Sequence, residues 1–568
     1  QNLIKGISPA MNVIAQAKEW LKADPHEETQ HELRVLIEQA GKADPQALRE
    51  LHDCFSGSLQ FGTAGLRGKL GPGPNRMNLV VVARAAAGLA KYLNHENNTN
   101  NQGTNTVVIG YDARHNSELF AQVTAQILSG AGITPLLFPH TVPTPVLAFA
   151  IRHLHASAGV MVTASHNPPQ DNGYKVYLGS GAQIIPPADI EIAQCIEEVT
   201  ALGPVRDLPH GDTWTTLEST TEQAYLDHTA QLVDTTISTN SDLKTVYTAM
   251  HGVGGKLFME LAQVAGFPEP IKVEQQFEPD PTFPTVAFPN PEEPGAIDLS
   301  LETAIKNNAD IVIANDPDAD RCAVAIPTTT DKSQWRMLHG DEVGALLATW
   351  IAETKPARGV MAQSIVSSTL LKAIAESAGF EYTQTLTGFK WIGPIPGLVF
   401  GYEEALGYCV DPDFVKDKDG LSAALKVMEL AAHLKSEGKT LQDQLDQIAL
   451  TFSVYATDQV SVRVSDLSRI PEIMGRLRET PPTHIAGAAV TEFIDLSVGT
   501  SELPPTDGLL FNLEGGGRVI VRPSGTEPKV KVYLQSVVNV TNEDVQAART
   551  KAAHNLESMA TDAQAWLN

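Results

Sequence analysis

Short apolar runs alternate with amphipathic stretches along most of the chain. Residues 107–111, 159–163 and 310–314 are apolar runs that predict buried strands, and the period of residues 118–129 predicts a helix. This alternation is typical of α/β units built on a mainly parallel sheet. Because ligand-binding loops follow the carboxyl ends of strands in such folds, the polar loops after residues 163 and 314 are candidate functional sites.

Domain boundaries are predicted where this pattern is interrupted. A polar stretch at 235–240 follows a predicted helix at 221–233, and further interruptions fall near residues 345 and 455. We therefore predict domains at 1–235, 236–345, 346–455 and 456–568. The first 55 residues are polar and helical in pattern, and we interpret them as an N-terminal extension of the first domain.

Charge and cysteine content exclude several classes of function. The 568 residues include 41 Lys and Arg against 67 Asp and Glu, a formal net charge of −26, which disfavours binding to nucleic acid. The cysteines are widely spaced and predict free thiols of a reducing cytosol rather than disulfides or a zinc site. The N-terminus has no basic region followed by an apolar stretch, and no window approaches 18 uninterrupted apolar residues, so neither a signal peptide nor a membrane span is expected. We expect a cytoplasmic enzyme, a monomer or small homo-oligomer, without nucleic-acid or membrane partners.

An acidic loop follows the predicted strand at 310–314. Its sequence, NDPDADR at 315–321, places Asp316, Asp318 and Asp320 at alternate positions, where their side chains can converge on one cation. Oxygen ligands select a hard ion such as Mg²⁺. A solvated acidic turn would show the same residues, but the apolar run before the loop and Arg321 after it favour a metal site.

A second loop, TASHNP at 163–168, offers Ser165 as a nucleophile. A serine hydroxyl requires a base or a positive field for activation, and His166 and Lys175 are the nearby candidates. Taken alone, the loop is equally consistent with a polar turn after a strand. The residues around Ser165 lack the GxSxG pattern, which disfavours an esterase, and the chain lacks GxxxxGK[ST], which disfavours a P-loop kinase.

A third loop, RPSGTEPK at 522–529, follows an apolar run and contains the residue types that bind phosphate. A plain hairpin turn is the alternative. Three further stretches are FGTAGLRG at 61–68 with Arg67, TGFKW at 387–391 with a lysine, and YEEALG at 402–407 with two adjacent carboxylates. Taken alone, each of these stretches is as consistent with a turn or a strand end that carries solvated charge as with a binding site.

Together and in this order, FGTAGLRG, TASHNP, DPDADR, TGFKW, YEEALG and RPSGTEP closely resemble the α-D-phosphohexomutase superfamily, which includes phosphoglucomutase and phosphomannomutase. The resemblance covers nearly the whole chain. It implies an α/β fold of four domains around a central cleft, three of them similar mixed α/β domains and the last a smaller α+β domain.

The resemblance also implies roles for individual residues. Ser165 would carry the phosphoryl group and, with Asp316, Asp318 and Asp320, would bind Mg²⁺. Arg67, His166, Lys175 and Arg321 would line the reaction centre, with His166 and Lys175 both candidates for moving the hydroxyl proton. The implied substrate-binding residues are Thr387, Gly388, Lys390, Glu403, Arg522, Ser524, Gly525 and Thr526.

The implied activity is interconversion of glucose 1-phosphate and glucose 6-phosphate through phospho-Ser165, with a sugar bisphosphate as intermediate and activator. Many family members read Gly-Glu-x-Ser in the sugar loop, whereas this chain reads Tyr402-Glu403-Glu404-Ala405. That variant resembles the branch with phosphopentomutase-type and glucose-bisphosphate-forming members, so mannose and pentose phosphates are the alternative substrates. A non-catalytic sugar-phosphate sensor is a further alternative, which the intact serine and aspartates disfavour.

Overall fold

The structure is a computed structural model that describes residues 9–100, 103–524 and 528–567. It contains two compact units. The first consists of the chain up to Trp335 together with Asp413–Leu425, and the second consists of Arg336–Pro412 together with the chain from Lys426 onward. The short segment Asp413–Leu425 therefore belongs to the first unit, although the predicted domain 346–455 includes it.

Residues 9–55 form helices α1 (Pro9–Ala23), α2 (Glu27–Gly41) and α3 (Pro45–Phe55). The side chain of Asp44 caps α3 by accepting a hydrogen bond from the Gln46 amide, and proline occupies the first helical position. The apolar faces enclose a small core of Val13, Ala17, Leu33, Ala40, Ala47 and Leu51. The predicted helical character of the N-terminal extension is confirmed for these residues.

The first sheet of this unit has the strand order β1-β5-β4-β2-β3-β6. Its strands are β1 (Leu66–Lys69), β2 (Thr106–Tyr111), β3 (Thr134–Leu137), β4 (Ala158–Val162), β5 (Asp171–Leu178) and β6 (Thr215–Thr216), and its helices are α4 (Leu79–Asn100), α5 (Ser117–Gly130), α6 (Thr144–His153) and α7 (Ala188–Ala201). β2, β3 and β4 are parallel, whereas β5 is antiparallel to β4 and β1. Leu89 of α4 and Phe120 of α5 share one core with Ile109 and Val160 of the sheet. The strands predicted at 107–111 and 159–163 and the helix predicted at 118–129 are confirmed.

Helices α8 (Ser219–Ala230) and α9 (Thr235–Ser238) lead to the next sheet, of order β11-β10-β9-β7-β8. Its strands are β7 (Thr245–Thr248), β8 (Ile271–Lys272), β9 (Ile311–Ala314), β10 (Ala323–Pro327) and β11 (Trp335–Met337), and its helices are α10 (Gly255–Val264) and α11 (Asp298–Lys306). Every residue of β9 is buried, which explains why the predicted strand at 310–314 reads as a continuous apolar run.

The first part of the second unit contains a mixed sheet of order β13-β12-β14-β15. Its strands are β12 (Val360–Ser364), β13 (Glu381–Thr385), β14 (Leu398–Glu403) and β15 (Gly407–Cys409), and the helices of this part are α12 (Gly340–Thr354), α13 (Leu370–Ser377), α14 (Phe389–Ile392) and α16 (Leu441–Phe452). Helix α15 (Gly420–Ser436) begins in the first unit and continues into the second from Lys426. β12 is parallel to β13 and β14, and β15 returns antiparallel to β14. The turn between β14 and β15 holds the YEEALG sequence.

The C-terminal part of the second unit is an antiparallel sheet of order β16-β21-β20-β19-β18-β17. Its strands are β16 (Val454–Arg463), β17 (His484–Ile485), β18 (Ala488–Asp495), β19 (Leu509–Leu513), β20 (Arg518–Pro523) and β21 (Lys529–Val538), with helices α17 (Arg469–Glu479) and α18 (Val545–Leu567). α18 buries one face, whose residues recur at the helical spacing: Val545, Ala548, Ala552, Leu556, Met559, Ala563 and Leu567. None of the described helices combines the length and hydropathy needed to cross a bilayer.

Candidate active site

The loop after β4 holds Ser165 in a buried and constrained position. Ser165 has a φ of +52° and a relative exposure of 3 %. A positive φ is uncommon for a residue with a side chain, and such geometry is concentrated at functional turns. The Ser165 amide donates to Thr163 Oγ1 over 2.9 Å, and its hydroxyl donates to Asp316 Oδ2 over 2.9 Å. The loop therefore places the predicted nucleophile against the acidic loop.

The side chain of Arg114 binds the main chain of this loop. Its Nη2 donates to the carbonyl oxygens of Ser165 and Asn167, each over 2.7 Å. Its Nη1 donates to the carbonyl oxygens of Pro168 and Asp171 over 2.8 and 3.1 Å. Because the guanidinium group is planar and its donors point in fixed directions, one buried side chain fixes both ends of the serine turn.

Asp316, Asp318 and Asp320 occupy the loop after β9, and all three are fully buried. One carboxylate oxygen from each lies within 4.8 Å of the other two. Burial, and then the charges of Asp318 and Asp320, raise the pKa of Asp316 well above its usual range. Three carboxylates at this distance repel one another unless a cation or a proton lies among them.

This oxygen cluster fits a divalent cation. Among the described residues, Oδ1 of Asp318 and Oδ1 of Asp320 are buried without a hydrogen-bond partner, although buried polar atoms normally have one. The donor set contains oxygen alone, as Mg²⁺ prefers. The predicted magnesium ligands are therefore gathered at one point, with acceptor capacity left over for an ion.

Two lysines and a threonine also contact these carboxylates. Lys175 Nζ, from β5, lies 3.0 Å from Asp318 Oδ2 and 3.3 Å from Asp320 Oδ2. Lys418 Nζ lies 3.1 Å from Asp320 Oδ2, and Thr144 Oγ1 donates to Asp318 Oδ2 over 2.6 Å. Burial alone would lower the pKa of Lys175, but the charges of Asp318 and Asp320 raise it. Lys175 is therefore a charged ammonium group at neutral pH.

Arg321 and Arg67 add positive charge near the serine loop. Arg321 Nε lies 4.0 Å from Asp316 Oδ2, and the Arg321 amide donates to Asp316 Oδ1 over 3.1 Å. Arg67 Nη1, from β1, donates to Asn167 Oδ1 over 3.3 Å. In an acidic chain, this concentration of cations around one serine is what an anionic substrate requires.

His166 is the neighbour of the predicted nucleophile. Its Nδ1 lies 3.3 Å from Ser165 Oγ. Burial, and then the charges of Arg321 and Arg67, lower the pKa of His166 to about 2, so its imidazole is neutral at neutral pH. The first unit thus brings together all the residues predicted for the reaction centre and the metal: Arg67, Ser165, His166, Lys175, Asp316, Asp318, Asp320 and Arg321.

In the second unit, Glu403 ends β14 and its Oε1 accepts a hydrogen bond from the Gly388 amide over 2.7 Å. The next residue, Glu404, is bound by Ser367, whose Oγ donates to Oε2 over 2.9 Å and accepts from the Glu404 amide over 3.0 Å. Burial, and then the charges of Glu403 and Asp341, raise the pKa of Glu404 to about 7. The two adjacent glutamates therefore have different partners, and Glu403 is the one joined to the TGFKW loop.

The predicted phosphate loop follows β20 in the same unit. Arg522 Nη1 donates to Thr387 Oγ1 over 2.9 Å, so the RPSGTEPK and TGFKW loops are in contact. The Ser524 amide donates to the Lys529 carbonyl over 2.9 Å, which closes the base of the loop.

Three other residues are predicted to bind the substrate: Lys390, Gly525 and Thr526. Lys390 lies in α14, with its Nζ 5.1 Å from the centre of the Trp391 ring. Gly525 and Thr526 lie outside the described residues.

Sequence reasoning did not assign Lys418 or Arg114 to the site. Lys418 lies in VKDKDG at 415–420, where alternating lysines and aspartates before a glycine indicate a structured polar turn. Arg114 follows Asp112 directly after the strand predicted at 107–111, a position where functional loops are expected. Neither sequence feature predicts the contact, because Asp320 is far from Lys418 in sequence and the serine loop is far from Arg114.

Comparison with known proteins identifies four domains along the chain. Family models match at residues 58–202 (phosphoglucomutase/phosphomannomutase, alpha/beta/alpha domain I), 223–329 (domain II), 339–451 (domain III) and 460–552 (C-terminal domain). The matches are in the expected order, and the helical extension at 9–55 precedes them. The mixed sheets and the C-terminal antiparallel sheet agree with these descriptions.

Relatives with several substrate names are similar over most of the chain. A Haemophilus influenzae protein named "Probable phosphomannomutase" is 50% identical over 81% of this chain and 93% of its own length. The human "Phosphopentomutase" is 35% identical over 95% of this chain and 94% of its own. A Staphylococcus aureus "Phosphoglucomutase" is 37% identical over 85% of this chain and 91% of its own. These names share one reaction type and differ in the sugar.

Proposed function

Because the chain belongs to the phosphoglucomutase/phosphomannomutase family, whose members are phosphotransferase isomerases, we propose that it interconverts glucose 1-phosphate and glucose 6-phosphate through a phosphorylated Ser165. The observation that carries this proposal is the hydroxyl of Ser165, buried and 2.9 Å from the first of three clustered carboxylates. An ordinary polar turn does not require its serine to be buried beside three carboxylates.

In the first step, the O–P bond to Ser165 breaks and a new O–P bond forms to a free hydroxyl oxygen of the sugar monophosphate. The hydroxyl proton passes through a base to the released Ser165 oxygen. His166 and Lys175 are the two candidates. His166 is neutral and its Nδ1 lies 3.3 Å from Ser165 Oγ, but its lowered pKa makes it a weak base, whereas Lys175 Nζ is charged and contacts Asp318 and Asp320. The product is a sugar bisphosphate. In the second step Ser165 Oγ gives its proton to the base and forms an O–P bond to the other phosphoryl group. The O–P bond from that group to the sugar breaks, and the released sugar oxygen takes up the proton.

Positive charge around Ser165 would stabilise the transferring group. Phosphoryl transfer depends mainly on positioning and charge neutralisation, which Arg321, Arg67 and Lys418 are placed to supply. Asp316, Asp318 and Asp320 would hold Mg²⁺ together with an oxygen of phospho-Ser165. When bound, the ion would neutralise charge on the transferring phosphoryl group.

Substrate recognition is proposed for residues of the second unit. Carboxylates accept hydrogen bonds from vicinal sugar hydroxyls, and Glu403 has a carboxylate held by the Gly388 amide. A phosphate that is not reacting would bind the RPSGTEPK loop, where Arg522 offers bidentate donors. The proposed substrate-binding residues are Thr387, Gly388, Lys390, Glu403, Arg522, Ser524, Gly525 and Thr526.

A coupled assay over glucose, mannose, glucosamine and ribose phosphates tests this proposal, with and without Mg²⁺ and a sugar bisphosphate. We expect turnover that requires Mg²⁺ and is stimulated by bisphosphate, with glucose phosphate preferred. Absence of turnover with every sugar would refute the mutase, and preference for another sugar would refute the glucose assignment alone.

Phosphorylation of Ser165 is tested separately by intact-mass spectrometry after incubation with bisphosphate. Ser165→Ala should lose both turnover and the single phosphate. Ser219→Ala, an exposed serine at the start of α8, is the matched control and should retain both. Turnover by Ser165→Ala would remove this residue from its proposed role.

A pentose phosphate is the second candidate because of Ala405. A serine hydroxyl at this position could contact a hexose, and alanine removes it, while the human relative named phosphopentomutase covers 95% of the chain. Ala405→Ser should shift the ratio of kcat/KM towards hexose phosphates, and an unchanged ratio would show that position 405 does not select the sugar.

A further inference from the structure

The first residues of α12 lie directly against the turn that carries Glu403. A Cβ at Gly340 would be 1.7 Å from the carbonyl oxygen of Glu404, so glycine alone allows this approach. The Tyr408 hydroxyl donates to the Gly340 carbonyl over 2.7 Å. Tyr402 is the partner of Tyr408 across the turn, and their rings stack with centroids 6.0 Å apart. The start of α12 therefore packs against the β14–β15 turn and is hydrogen-bonded to β15.

Asp341, the next residue of α12, gathers donors from separate segments of the second unit. Its Oδ1 accepts from the Ser368 amide and from the Tyr402 hydroxyl, each over 2.8 Å. Its Oδ2 accepts from Thr457 Oγ1 over 2.6 Å. Asp341 is 7 % exposed and lies in the first turn of the helix, where the helix dipole favours a carboxylate. Charge-assisted hydrogen bonds of this kind are the strong ones.

Thr457 connects Asp341 to the sheet that carries the phosphate loop. It lies on β16, which pairs with β21 from Val454 to Arg463. β21 in turn pairs with β20, at whose end Arg522 is found. The carboxylate of Asp341 is therefore a joint between the β14–β15 turn and the C-terminal sheet.

Close packing does not fix the Asp341 carboxylate on every side. A cavity of about 230 Å³ opens beside it, lined by Asp341 and Thr457 and by apolar side chains such as Leu445, Ile448 and Val454. Side chains that border a cavity lack contacts on one side and can move into it. On that side Asp341 Oδ2 is held by the hydrogen bond from Thr457, with the His339 ring nitrogen 3.6 Å away.

We propose that Asp341 is a positioning residue, which sets the place of Glu403 through Tyr402 and joins the sugar-binding turn to β16 through Thr457. Glu403 directly follows Tyr402 on β14, so a displacement of the Tyr402 backbone is passed directly to Glu403. The proposal rests on the proposed role of Glu403 in binding the sugar. Asp341 itself acts only through these neighbours.

Thr457→Val and Tyr402→Phe test the proposal, because each removes one donor and keeps the shape of the side chain. With saturating bisphosphate and Mg²⁺, both should raise KM for the sugar monophosphate about five- to tenfold, with a smaller change in kcat. Hydrolysis of phospho-Ser165 by water in the absence of sugar should be unchanged, because it uses residues of the first unit. Combining the two substitutions should be less than additive, because both act on one carboxylate.

Thr491→Val is the matched control, since the Thr491 hydroxyl donates to a main-chain carbonyl of β19 over 3.2 Å and does not touch Asp341. It should leave KM unchanged. Hydrogen exchange gives a readout that does not depend on turnover: amides of residues 402–408 should exchange faster in Thr457→Val than in Thr491→Val. Faster exchange without any sugar turnover would keep the joint and reject the proposed function. Unchanged KM and unchanged exchange in both test variants would overturn the proposal.

Discussion

Replacing Arg114 by lysine is the sharpest test of how the serine loop is held. Lysine keeps the positive charge, but its single nitrogen cannot reach the carbonyl oxygens of Ser165, Asn167, Pro168 and Asp171 that the two arginine nitrogens bind at 2.7–3.1 Å. The two carbonyl groups bound by one of the arginine nitrogens would lose their donor, and all four are buried or partly buried. The substitution therefore separates the geometry of the guanidinium group from its charge.

The expected loss follows from these contacts. A hydrogen bond to a charged group contributes about 1.5–3 kcal/mol, and bonds made by one side chain are not additive. Loss of two of them should lower the free energy of unfolding by about 3 kcal/mol. Ser165 has a positive φ that these bonds maintain, so turnover should fall with stability, mainly in kcat.

Urea unfolding followed by circular dichroism, the coupled mutase assay and hydrogen exchange of residues 163–171 measure the effect. Arg206→Lys is the matched control, because the Arg206 side chain is exposed and donates to one main-chain carbonyl, that of Lys22. It should match the wild type in all three measurements. If Arg114→Lys also matches the wild type, the serine loop is not held by Arg114 and the reasoning fails.

Three further results are expected. Asp318→Asn should weaken Mg²⁺ binding roughly tenfold or more in calorimetry of EDTA-treated protein, and unchanged affinity would exclude Asp318 as a ligand. Arg522→Ala should raise KM for sugar phosphate roughly tenfold with little change in kcat, and an equal KM would place the second phosphate elsewhere. The pKa of Glu404 is raised from 4.5 to about 7, so between these pH values the folded state binds a proton that the unfolded state has lost. This proton contributes about 3 kcal/mol to the free energy of unfolding below pH 4.5, and the contribution is lost as pH rises through 7. Glu404→Gln should flatten the dependence of unfolding free energy on pH in that window, and an identical slope would contradict the shift.

The local elements of the fold follow from sequence because their signals are short-range. The apolar run that ends at Ala314 is a strand in which every residue is buried. The three aspartates of the loop after it lie within five residues of one another, so the sequence alone predicts that they can converge. The serine loop after β4 also follows a strand in which every residue is buried. The family resemblance then supplied the order of the domains, which no local pattern contains.

Partners from distant segments could not be predicted in this way. Lys418 contacts Asp320 because the segment Asp413–Leu425 belongs to the first unit, whereas the sequence pattern places it within the third predicted domain. Arg114 and the serine loop meet because β2 and β4 are neighbouring parallel strands whose carboxyl ends share an edge. Sequence spacing carries no information on either contact.

The sequence by itself determined which residues could do chemistry: a serine, three alternating aspartates and the basic RPSGTEPK loop, each placed after an apolar run. Only the tertiary structure decided what those residues meet. The order of strands in a sheet and the return of a remote segment bring carboxylates, lysines and main-chain carbonyls into hydrogen-bonding distance. Strand formation depends on neighbouring residues, whereas the charges and hydrogen bonds that surround Ser165 or hold Glu403 depend on groups brought together by folding.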